Sequence, residues 1–84
     1  MSAIPGRRWT EDDGIHIDVR GLPAPEPLVA ILELIGSIQD DSAVIVHHDR
    51  DPRMLYPELA ELGWSAEQID GEAGEVRLRL ARGS

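Results

Sequence analysis

Asp18-Val19-Arg20-Gly21-Leu22-Pro23-Ala24-Pro25-Glu26-Pro27 decides the fold. It reads as the end of a strand, a tight loop and the first turn of a helix. Gly21 permits the turn, and the closely spaced prolines bar regular structure until Pro27. A proline suits that early helical position, because its missing N–H has no intrahelical acceptor to lose.

Upstream, Ile15-His16-Ile17-Asp18-Val19-Arg20 alternates. Ile15, Ile17 and Val19 face one way, and His16, Asp18 and Arg20 face the other, as in a half-buried strand. Downstream, a helix is predicted from about Glu26 to Ile38. Leu28, Ile31, Leu32, Ile35 and Ile38 form one apolar stripe, widened by Val29 and Leu34. Gly36 weakens that helix by about 1 kcal/mol relative to Ala. Ala43-Val44-Ile45-Val46 is continuous and β-branched, so it reads as a central strand closed by His47 and His48.

A second helix is predicted to start at Asp51 as N-cap, with Pro52 in the first position. Leu55, Leu59 and Leu62 supply its buried stripe, and Pro57 imposes a bend or an irregular first turn. Residues 64–70 form a weaker strand. A hairpin-type loop follows, and 75–82 is the clearest strand, with Val76, Leu78 and Leu80 inward and Arg77, Arg79 and Arg82 outward. The expected architecture is an α+β two-layer sandwich of order βαβαββ, a four-stranded mixed sheet with two helices on one face. Residues 1–14 have no periodicity and read as a flexible N-terminal arm before one domain at 15–82. Trp9, within the arm, is expected to cover an edge of the core, with a role in partner binding as the alternative.

Composition narrows the function. A chain of 84 residues holds one modest core. The net charge of −8 repels phosphate backbones, which argues against nucleic acid or an anionic membrane as partner. The chain has no cysteine, so disulfides, thiolate metal sites and thiol nucleophiles are excluded. Arg7-Arg8 precedes Trp9-Thr10-Glu11-Asp12-Asp13 rather than an apolar stretch, so no targeting signal is read and a cytoplasmic location is expected.

The junction Asp18-x-x-Gly21-Leu22-x-x-Pro25-x-Pro27 resembles the TusA/SirA-like sulfur-carrier proteins, a βαβαββ sandwich, over roughly Ile15 to Arg82. In those carriers a Cys precedes the first proline of a Cys-Pro-x-Pro motif. Here that position is Ala24, which has no atom to hold a transferable sulfur. The chain is more similar still to a Cys-less bacterial branch of this class, through Asp18-Val19-Arg20-Gly21-Leu22, Pro25-Glu26-Pro27, His48-Asp49-Arg50-Asp51-Pro52-Arg53-Met54-Leu55 and Gly63-Trp64. That resemblance implies a domain found alone or joined to haemerythrin-like modules, with no assigned activity.

A site is expected at the carboxyl edge of the parallel strands, where two loops feed two helix N-termini. The candidates are Arg20, Gly21, His47, His48, Asp49, Arg50 and Arg53. They offer a small-anion site, or a metal site built from His47 or His48 with Asp49. Adjacent strand residues point to opposite faces, so the two histidines are not expected to share an ion. The structural alternative is that Asp49, Asp51 and Glu26 consume the donors, while the imidazoles tie down the strand end. His48-Asp49 is the minimum for acid–base chemistry, but no nucleophile or phosphate cradle accompanies it.

The leading expectation is therefore a non-enzymatic accessory or interaction module with no cofactor. It would act on an unknown protein partner through the carboxyl-edge loops or the open sheet face, which could also support a weak homodimer. Arg77 and Arg79 on that face read either as solvated ion pairs with Asp18 or Glu67, or as a docking patch for an acidic partner.

Overall fold

The computed structural model describes residues 6–83. Its strands are β1 (Arg7–Glu11), β2 (Gly14–Asp18), β3 (Val44–His48), β4 (Trp64–Ile69) and β5 (Val76–Arg82), and its helices are α1 (Glu26–Ser37) and α2 (Leu55–Glu61). The five strands form one sheet in the order β1-β2-β3-β5-β4. Only β2 and β3 run parallel; every other neighbouring pair is antiparallel.

Strand parity sorts the side chains. Ile17, Val19, Val44, Val46, Leu78 and Leu80 share one face and form a single core with Ala30, Ile31, Leu34 and Ile35 of α1 and Leu55 and Leu59 of α2. Both helices therefore cover the same face. Leu, Ile and Val dominate this core, as a chain without Phe requires.

The four-strand expectation is corrected to five. Arg7–Glu11, read from its lack of periodicity as part of an arm, pairs antiparallel with β2 from Arg7 opposite Asp18 to Glu11 opposite Gly14. Its alternation is invisible in hydropathy because Trp9 packs on polar rings and Arg8 on the helix side reaches Glu33 at 3.6 Å. Residues 1–5 of that expected arm lie outside the described residues.

Helix α2 begins three residues later than the Asp51–Pro52 reading placed it. Asp51 is not its cap: the carboxylate accepts instead from the Tyr56 hydroxyl at 2.5 Å. Pro57 explains the shift. In a helix starting at Pro52 its missing N–H would break the ladder, whereas a start at Leu55 leaves it in the first turn. Val29 is 51% exposed and lies off the α1 stripe. Arg82 turns to the helix side, where its guanidinium donates to the Ile38 carbonyl at 2.9 Å and lies over Trp64. No helix among the described residues is long and apolar enough to cross a membrane.

Candidate functional site

The parallel pair β2 and β3 sends its two exit loops to the same edge. Val19 N–H donates to the His47 carbonyl at 3.0 Å, and Gly21 N–H donates to Asp49 Oδ2 at 3.1 Å. Gly21 holds a φ of 81°, which turns the chain sharply out of the strand. The loops thus lie side by side, as their order in the chain requires.

Asp49 is the centre of this edge. Besides Gly21, it meets His48 Nδ1 at 3.1 Å and accepts from Arg50 Nε at 3.2 Å. The Gly21 N–H, with lesser help from Arg50, overcomes desolvation and holds the Asp49 carboxyl down at about 2. His48 is buried, and its Nδ1 accepts from the Asp49 and Arg50 backbone N–H groups. Arg20 is bound twice by Asp18, at 2.9 and 2.8 Å. Arg53 is exposed and 3.9 Å from Asp51. The donors that an anion would need are thus turned toward carboxylates.

Behind these loops lies an apolar pocket of about 240 Å³. Leu22, Ala24, Pro25, Pro27 and Leu28 line one side, and His48, Arg50, Pro52, Met54 and Leu55 the other. Met54 stands 74% exposed at this edge. Ala24 contributes only a methyl group, so the wall beside it offers no nucleophile.

The structure separates His47 from this group. Its side chain points to the opposite face of the sheet, as strand parity demands, and joins residues that sequence reasoning left apart. His16 Nδ1 and His47 Nε2 share a hydrogen bond of 2.8 Å. His47 Nδ1 lies 2.5 Å from Glu75 Oε2, and His16 Nε2 lies 2.7 Å from Asp13 Oδ1. The result is an unbroken line, Asp13–His16–His47–Glu75. The indole of Trp9 lies nearly parallel over both imidazoles, with ring centroids 5.1 and 5.2 Å away.

Both ends of the line are anchored. Burial alone would raise the Glu75 carboxyl. The Glu72 N–H, Arg77 and His47 outweigh it and hold the group at about 2. The hydrogen bond to His16 lowers the Asp13 carboxyl. Arg77 donates to Glu75 Oε1 at 2.8 Å, so it serves this line rather than Asp18. Arg79 stands opposite Glu67 in the β4–β5 register. The signal for the line was present in parity, which places His16 and His47 on the same face of adjacent parallel strands. It was missed because the register, Asp18 opposite His47, brings the imidazoles into diagonal reach only once β2 and β3 are aligned.

Comparison with known proteins agrees with this architecture. The family described as "Uncharacterized conserved protein (DUF2249)" matches residues 16–82. Among solved structures, a SirA-like protein from Desulfitobacterium hafniense superposes with a TM-score of 0.70 at 19% identity, covering 82% of this chain and 97% of that one. That likeness shows a shared fold. No curated protein matches the sequence.

Proposed function

The chain belongs to the DUF2249 family, and from that premise we propose that it is a non-enzymatic, SirA-like interaction module whose carboxyl-edge pocket receives an apolar side chain from a protein partner. One observation carries this reading: the two exit loops enclose an apolar pocket beside the exposed Met54. Its volume is below the roughly 300–1,000 Å³ of pockets for drug-sized ligands and suits one or two side chains. Apolar anchors in such pockets supply most of the energy of many interfaces.

The chemistry of the wall supports binding over catalysis. His48 is the imidazole in the lining, and its Nδ1 is engaged by two backbone N–H groups. Ala24 stands where the carriers of this class hold their cysteine, and the chain has no other cysteine. Persulfide transfer on a thiol is therefore outside the proposal. A cytoplasmic site of action is part of it. Binding of a small anion through Arg20, Gly21, Arg50 and Arg53 is the weaker reading, because Asp18, Asp49 and Asp51 already engage those groups.

The test is an amide-resolved NMR titration with N-acetyl-leucinamide, a neutral surrogate for the expected anchor, run beside inorganic phosphate. Saturable shifts at residues 22–28 and 50–55 with the leucine probe, weakened by Met54→Glu, support the module. Shifts produced by phosphate alone would move the assignment to an anion site.

A further inference from the structure

The Asp13–His16–His47–Glu75 line plays no part in the carboxyl-edge pocket. It contains three contacts between four side chains. Two neutral imidazoles bring only two N–H protons to them. When His47 Nδ1–H donates to Glu75 and His16 Nδ1–H donates to His47, both protons are spent. Whichever tautomers the rings adopt, one of the three contacts is left without a proton; with the protons placed so, it is that of His16 Nε2 with the Asp13 carboxylate at 2.7 Å. That contact then calls for a positive charge between or beside the two acceptors. A third proton supplies one, and a metal ion supplies another.

The surroundings favour an ion. Glu11 Oε2 lies 3.8 Å from the same nitrogen, and one oxygen each from Glu11 and Asp13 with His16 Nε2 fall within 4.8 Å of one another. Zn²⁺ bonds of about 2.0–2.2 Å put tetrahedral ligand atoms roughly 3.3 Å apart, a spacing bracketed by the observed 2.7 and 3.8 Å. His16 is only 4% exposed, so its ring is held in place rather than searching solvent. Its other nitrogen leads through His47 to the buried Glu75 side chain, the kind of hydrogen-bonded support that fixes the tautomer of a metal-ligating histidine. The Trp9 N–H donates to Glu11 Oε2 at 2.5 Å and orients that carboxylate as well.

A second cavity adjoins the group. Glu11 and Asp13 also line a polar pocket of about 330 Å³, together with Asp12, Asp41 and Arg79. Water or a small ligand can approach Glu11 and Asp13 from that side.

We infer that Glu11, Asp13 and His16 form a binding site for a divalent transition-metal ion of the zinc type, with His47 and Glu75 as positioning residues. The single imidazole selects zinc-type ions over Mg²⁺ and Ca²⁺, which take oxygen sets. Three protein ligands leave at least one position open to solvent.

The experiment is a calorimetric titration of the full chain with ZnCl₂, followed in parallel by tryptophan fluorescence. Saturable one-to-one binding with a change in indole emission is expected. Asp13→Asn and Glu11→Gln change exposed side chains and should each weaken binding at least about tenfold, and Glu75→Gln by about 10–100-fold. Circular dichroism confirms that each variant is folded. Absence of saturable binding to the wild-type chain overturns the inference. So does binding that Asp13→Asn and Glu11→Gln leave unchanged.

Discussion

His16 Nδ1 lies 2.8 Å from His47 Nε2 across 31 positions of sequence. Each imidazole is buried, and each satisfies the other's inner nitrogen. Removing one strands its neighbours, and a buried polar group without a partner costs about 1–3 kcal/mol. His47→Leu should therefore destabilise the domain by roughly 2–4 kcal/mol, since it abandons both His16 and Glu75. The double variant His16→Leu/His47→Leu should lose less than the sum of the singles. Urea denaturation of the four proteins measures the coupling; additive losses would show that the bond contributes nothing.

Asp49 ties the β2 exit loop to the β3 exit loop through Gly21. Its carboxyl titrates at about 2 in the fold, against an ordinary value of 3.8. The native state therefore binds that proton less readily than the unfolded chain. The contribution is fully present above about pH 4 and is lost as pH falls through 2. Asp49→Asn should flatten this part of the acid branch in a plot of denaturation midpoint against pH. An acid branch identical to that of the wild type would contradict the assignment.

The chain has a single tyrosine, so ultraviolet titration reports Tyr56 alone. Burial, then the hydrogen bond to Asp51, pushes its hydroxyl up to about 12. Here the native state holds the proton more tightly, so the contribution is present below about pH 10 and lost as pH rises toward 12. Asp51→Asn should move the midpoint down toward 10. An unmoved midpoint would place the Tyr56 hydroxyl away from Asp51.

Two glycines should respond oppositely to alanine. At Gly14, φ is 137° and an added Cβ would sit 2.3 Å from the Ala43 carbonyl oxygen, where β2 and β3 begin to pair. Gly14→Ala should cost roughly 2–4 kcal/mol. At Gly36 in α1 the added methyl meets nothing within 4 Å, and Gly36→Ala should stabilise by about 0.5–1 kcal/mol. Thermal denaturation of both variants checks the pair.

Local signals carried most of the fold. Alternation in β2 and β5, the continuous apolar run of β3 and the helical stripe of α1 each follow from one element and one buried face. Strand β1 was hidden because its half-buried residues are Arg8 and Trp9, packed on an ion pair and on imidazoles. The start of α2 was misread because Asp51-Pro52 is a good entry signal locally, while Pro57 acts from five residues away. The meeting of the two exit loops at the carboxyl edge was legible from topology, since parallel strands must deliver them together. The imidazole line was legible only as the shared face that parity gives His16 and His47. It depends on β1 for Trp9, on β5 for its neighbour Glu75 and on a register that no single segment encodes.

The central claim is that the carboxyl-edge pocket receives an apolar side chain, and the leucinamide NMR titration tests it most directly. The account expects saturable amide shifts confined to residues 22–28 and 50–55, strongly reduced by Met54→Glu. A spectrum of the folded protein that stays unmoved, or moves equally with and without the Met54 substitution, would contradict it.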